Sequence, residues 1–240
     1  MAQYEATMNK ITKGTQDLAA KLREAGPKAE ATANQWYVPQ PVADALIWAA
    51  NKLVEAGSWL LEKIGEVLEG AAAPVTFFFY AHDWQSDVRG KASTVAGETS
   101  PDALKAPGQW EGDAATAYTA AVKDQSTAAT QVETSADKIA GALTVSAVAG
   151  LAFYVAIGVI LVKFIMAAVA AIAALGSVVF SWAGAGIIVE EAGVNSGLVI
   201  AAVTTLVAVL GAQAQQMVTV EGEARDNSAF PGGKWPSGMS

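Results

Sequence analysis

Residues 140–213 read AGALTVSAVAGLAFYVAIGVILVKFIMAAVAAIAALGSVVFSWAGAGIIVEEAGVNSGLVIAAVTTLVAVLGAQ, and this run decides the fold. Between Ala140 and Val220 the chain carries three charged residues, Lys163, Glu190 and Glu191. The run far exceeds the ~18 consecutive apolar residues that mark a bilayer-spanning helix, and it is too long to be one span. Its midpoint falls at Gly176-Ser177. A turn there predicts two antiparallel helices of about 35 residues each, every one roughly 52 Å long. In that pairing Lys163 lies opposite Glu190 and Glu191. A rival reading keeps Phe164 to Val189 as a single uncharged span, flanked by Lys163 on one side and Glu190-Glu191 on the other.

Upstream of this run the periodicity is helical throughout. Tyr4, Met8, Ile11, Leu18 and Leu22 recur at helical spacing over Glu5–Glu24, and Gly26-Pro27 predicts a stop. Val42–Leu68 reads as a second helix with Leu46, Ala49, Leu53, Leu60, Ile64 and Val67 on one stripe. Trp48, Trp59 and Leu61 widen that stripe, so the helix is apolar on more than one face. A third helix spans Val75–Ala96, with Phe77, Ala81, Trp84, Val88, Ala92 and Val95 on one side and Asp83, Asp87 and Arg89 on the other. After a Pro/Gly loop, Asp113 is the expected cap of a fourth helix. Its stripe of small side chains runs through Ala114, Ala117, Ala121, Ala128, Val132, Ser135 and Ile139. Small residues let helix backbones approach closely, so this stripe predicts a tight antiparallel neighbour. No strand-like alternation occurs. The expected organisation is all-α, with N-terminal helices over 1–73, a helical hairpin over 74–139, an apolar hairpin over 140–216 and a flexible tail over 217–240.

Composition removes several function classes. The chain has 240 residues and a net charge of −8, with no clustered Lys and Arg, which argues against a nucleic-acid partner. Zero Cys removes disulfides and thiolate chemistry. The one histidine, His82, cannot build a multi-histidine metal site, and its neighbour Asp83 points elsewhere on a helix. No phosphate loop, zinc spacing or serine elbow is present, so the chain reads as a non-enzyme without cofactor or metal. Met1-Ala2-Gln3-Tyr4-Glu5 lacks a basic region followed by an apolar run, and no signal peptide is expected.

Trp110-Glu111-Gly112-Asp113-Ala114-Ala115-Thr116-Ala117-Tyr118 follows that Pro/Gly loop and opens the alanine-striped helix. Through these residues the segment Phe77–Ile139 resembles the WXG-type family of small secreted proteins, helical hairpins exported by type VII secretion. The family pattern is a Trp-x-Gly turn between two long helices, followed by small residues and an aromatic. Trp110, Gly112 and Tyr118 match it. Gly112 would free the backbone for the turn and Trp110 would pack over the hairpin end. The resemblance covers about a quarter of the chain and departs from the family twice. None of Tyr4, Tyr37, Tyr80, Tyr118 or Tyr154 is followed four residues later by an acid, the family's usual export companion. The appended apolar hairpin is also foreign to a minimal member.

Three functions compete. The first is a type VII-secreted or cell-surface protein whose apolar hairpin enters membrane lipid as an oligomeric pore. The second is a soluble scaffold that binds a helical protein partner, with the tryptophan-rich second helix burying the hairpin. The third is an integral membrane protein exposing the WXG-like hairpin. A soluble helix normally shows water one polar face, and the near absence of charge over two long helices favours lipid. Gly158, Ala167, Ala171, Gly193 and Gly197 favour close helix contact in lipid and would equally suit a tight soluble bundle.

Overall fold

A computed structural model describes residues 2–105, 108–176, 204, 207–208, 210–222, 225 and 228–237 of the chain. The fold is all-α. The described residues include the α-helices α1 (Ala2–Ala33), α2 (Gln40–Leu68), α3 (Ala73–Asp83), α4 (Gly90–Glu98) and α5 (Asp113–Leu175). A π-helical turn, Trp84–Arg89, joins α3 to α4, and residues 210–222 are largely helical. The chain forms two compact units, one of Met1–Ala73 with Ala149–Val207, the other of Pro74–Val148 with Ala208–Ser240.

In the first unit, α1 supplies Ile11, Leu18, Leu22, Ala25 and Ala29 to a single core. Helix α2 adds Leu46, Ala49, Ala50, Leu53, Leu60 and Ile64, and α5 adds Phe153, Ile157, Leu161, Phe164, Ala168 and Ile172. The apolar stripes of α1 and α2 thus face the core as their spacing predicts. Helix α1, however, continues nine residues beyond Glu24, through Gly26-Pro27. The N–H that Pro27 lacks would have bonded the Arg23 carbonyl. Both residues are exposed, while Ala25 and Ala29 stay fully buried on either side of the proline. Burial of the continuing stripe overrides the helix-breaking residue. Helix α2 starts at a proline-rich corner, with Pro39 at the cap and its carbonyl accepting from Val42 N (2.9 Å) and Ala43 N (3.0 Å). Proline suits a first helical turn, whose N–H groups have no partner within the helix. Trp48 is exposed, whereas Trp59 and Leu61 pack against the core.

Two tyrosines close the far end of α2. The Tyr154 hydroxyl of α5 donates to the Val67 carbonyl at 2.8 Å, and the Tyr4 hydroxyl of α1 donates to the Ala71 carbonyl. Helix C-termini leave carbonyls without intrahelical partners, and these phenols satisfy carbonyls of the last turn and of the residues after it. Burial raises the Tyr4 hydroxyl above its ordinary value. The neutral donor is the form the fold favours, so stability from this group is complete below the tyrosine range. It falls as pH rises above about 10, where the unfolded chain ionises first.

Between α1 and α2 the buried Leu22 side chain sits directly against Gly57. A Cβ placed there would lie 2.5 Å from both terminal carbons of Leu22. Overpacking costs about 1–3 kcal/mol, against about 1 kcal/mol gained in helix propensity on replacing glycine by alanine. Gly57→Ala is therefore expected to lower the thermal midpoint. Gly65→Ala, on the same helix with nothing within 4 Å, is expected to raise stability by about 0.5–1 kcal/mol. Midpoints that move in the same direction would contradict the close packing at Gly57.

Candidate functional site

The second unit contains the Trp-x-Gly turn. Helix α4 ends at Glu98, a 3-10 turn covers Pro101–Ala103, and Trp110-Glu111-Gly112 leads directly into α5. Gly112 has φ of +98°, a left-handed backbone that L side chains rarely adopt. Its carbonyl accepts from Thr116 N at 3.1 Å, the first bond of the helix ladder. Gly112 thus occupies the flanking position that the sequence gives to Asp113. Asp113 is the first helical residue, where its carboxylate meets the positive end of the helix dipole. The Trp110 ring lies 6.1 Å from that of Tyr118, inclined by 47°, and is 45% exposed. It shares an open groove of about 500 Å³ with Pro101, Ala115, Thr119 and Lys123. The tryptophan is therefore laid along the surface of the turn rather than sealed beneath it.

Away from the turn, Ser126 Oγ donates to the Ala96 carbonyl at 2.9 Å. Arg89 reaches Glu133 and Asp137 at 3.4 Å each, and Gln85 donates to Asp137 at 2.8 Å. The π turn explains how Arg89 comes to face α5. It adds a residue to one turn and rotates everything after it. Val95, expected on the apolar side, is consequently exposed. Helix α5 buries Ala115, Val122, Ala129 and Ala136, while Ala114 and Ala117 are exposed. Of the expected stripe, Ala128 is fully buried and Ala121, Val132, Ser135 and Ile139 are half-buried, so it faces inward after the first turns of the helix and is widened there by Val122, Ala129 and Ala136. The tail also differs from a flexible one. Residues 228–237 are anchored: the Pro236 carbonyl accepts from Gln125 Nε2 at 3.1 Å, Phe230 and Trp235 rings sit 6.0 Å apart, and Ala229 is buried.

Helix α5 runs through residues 139–140 without a break, so the alanine-striped helix after the Trp-x-Gly turn and the first part of the apolar run are one element. By length and composition it is able to cross a membrane, and only 39% of its most apolar window is buried. In the first unit it has two apolar faces. One carries Phe153, Ile157, Leu161, Phe164, Ala168, Ile172 and Leu175 into the core. The other carries Val155, Val159, Val162, Met166 and Val169, all exposed, Met166 by 67%. With the exposed Ala152 and Ala173 these fall at alternating steps of three and four residues, a continuous stripe along the helix. Aromatic and Leu/Ile side chains thus segregate to the covered face and valines to the uncovered one, a signal readable in the sequence.

Lys163 is exposed beside this stripe. Gly176 is a turn residue directly after α5. Ser177, Glu190 and Glu191 lie outside the described residues, and so does the pairing of Lys163 with the two acids. His82 and Asp83 are exposed at the end of α3. Among the described residues no group of three His, Asp or Glu side chains converges. No protein-family model, no curated protein and no solved structure matches the chain.

The turn geometry separates its two marker residues. Gly112→Ala forces a Cβ into the left-handed region and is expected to cost about 1–2 kcal/mol. Trp110→Ala removes a half-exposed ring and is expected to cost less, about 1 kcal/mol. Denaturant midpoints check this; a tryptophan loss well above the glycine loss would place the ring in a closed core.

Proposed function

We propose that the chain is a WXG-like protein exported by type VII secretion to the cell surface or beyond, and that its apolar run enters membrane lipid as a hairpin, assembled as an oligomer. One observation supports lipid contact above all: the uncovered stripe Val155, Val159, Val162, Met166 and Val169 on α5. Removing five such half-exposed side chains from water is worth about 1 kcal/mol each. The sum exceeds the about 2.5–3.5 kcal/mol that one lysine costs at a bilayer centre. In the hairpin reading Lys163 is relieved further by Glu190 or Glu191, or by facing a water-filled centre shared between copies. The export route rests on the Trp110-Gly112-Tyr118 resemblance, and the missing acidic companion of the tyrosines calls for a helical protein partner in transit.

Two experiments test this. Purified full-length protein is expected to float with phosphatidylcholine vesicles. Val159→Glu/Val162→Glu, which changes only exposed positions, is expected to lose more than tenfold of that binding with an unchanged far-ultraviolet spectrum. Wild-type protein left at the bottom of the gradient would overturn the lipid reading. For export, supernatants of strains with and without the secretion ATPase are compared; equal amounts outside both would overturn the type VII route.

A further inference from the structure

The loop between α1 and α2 projects two aromatic side chains that the α5 reading does not use. Trp36 is 94% exposed and Tyr37 is 56% exposed, with their rings 5.8 Å apart and edge to face. They pack against each other rather than into the core. From Ala31 to Ala43 the chain carries no charge, and the exposed Glu30 and Asp44 bound this stretch. Glu30 is three residues before the end of α1 and Asp44 four residues after the start of α2, so both acids sit roughly 5 Å back from the helix ends. Helix α5 ends at the same end of this unit. A Cβ on Gly176 would lie 2.9 Å from Lys28 Cε, and Leu175, Ala29 and Ala33 share one core. The thirteen residues from Phe164 to Gly176 are likewise uncharged.

We propose that the α1–α2 tip is a lipid-interface anchor, in which Trp36 and Tyr37 seat among the headgroups of a bilayer beside the end of α5. This goes beyond the hairpin reading while resting on its premise that α5 meets lipid. Tryptophan and tyrosine combine an apolar ring with a polar N–H or O–H and concentrate at membrane–water interfaces for that reason. The flanking acids set the depth. The uncharged tip is deep enough for the ~5–10 Å of an interfacial element and too shallow to span. A protein partner fits less well. Two rings present about 300–500 Å², against the about 800 Å² per side of a stable protein interface. No Lys or Arg lies between residues 31 and 43, and the nearest charges, Lys28, Glu30 and Asp44, leave this end without a net positive charge, so the contact does not call for anionic lipid.

The test uses the full chain with vesicles of phosphatidylcholine alone and of phosphatidylcholine containing phosphatidylglycerol. Trp36→Ala/Tyr37→Ala is expected to weaken partitioning into both on the order of tenfold, with no change in thermal midpoint because both rings are outside the core. The exchange Trp36→Tyr/Tyr37→Trp, which keeps two interfacial rings, is expected to bind as the wild type does. The proposal is overturned if the alanine pair binds normally, if the exchange loses as much as the alanine pair, or if wild-type binding requires the anionic lipid. An alanine pair that binds normally while Val159→Glu/Val162→Glu fails removes the anchor and leaves the α5 reading standing. Wild-type protein that binds neither vesicle removes both.

Discussion

Helix α5 has two apolar faces in the first unit and a partner for one of them. The covered face brings Phe153, Ile157, Leu161 and Phe164 against α1 and α2, and much of that unit follows from this contact. It keeps α1 helical past Pro27, because Ala25 and Ala29 have a surface to bury against. The Tyr154 hydroxyl comes from this same face to the end of α2. On the other face the described residues leave a row of valines and Met166 exposed, and the functional reading starts from that imbalance. An exposed apolar row of this continuity is unusual on a soluble surface and marks a place where another apolar phase or molecule belongs.

The second unit has a different chemistry on the same helix. Before residue 140, α5 is alanine-rich with ordinary surface charge, and its neighbours are fastened by polar contacts, Arg89 to Glu133 and Asp137, and Ser126 to Ala96. A change of polarity at residue 140 does not end a helix, since each backbone bond depends only on residues four apart. The backbone freedom that starts α5 is concentrated in Gly112, and the aromatic pair of Trp110 and Tyr118 lies against the turn. Trp110 presents much of its ring to solvent, so the turn is held by the backbone of Gly112 more than by a buried aromatic plug.

Much of the fold was legible before the structure. Helical spacing located α2 and the continuous α3–α4 segment to within two residues, and the Trp-Gly turn fell where glycine and proline cluster. Misreadings have physical causes. Gly26-Pro27 looks like a stop because local propensity does not register tertiary burial. The π turn at Trp84–Arg89 has no composition of its own, so the phase shift that exposes Val95 and turns Arg89 toward acids could not be counted from spacing. Alanine repeats mark a face only loosely, so the inward face of α5 is wider than the expected stripe and leaves out Ala114 and Ala117. The docking of residues 228–237 rests on a carbonyl bond and a ring contact between residues that look like ordinary loop formers. For the candidate site, the valine row was visible as a pattern, but which face would be covered required α1 and α2 to be in place. Trp36 and Tyr37 were legible as residues, not as a projecting tip.

Contact of the uncovered face of α5 with hydrocarbon is measurable residue by residue. Because the chain contains no cysteine, single cysteines carrying a nitroxide report each position separately in vesicle-bound protein, by collision with oxygen, which enters lipid, and with a nickel chelate, which stays in water. The account predicts high oxygen and low nickel accessibility at 155, 159, 162, 166 and 169, and low accessibility to both at 157, 161, 164 and 168. Nickel accessibility along the valine row, or protection from both reagents there, would contradict it.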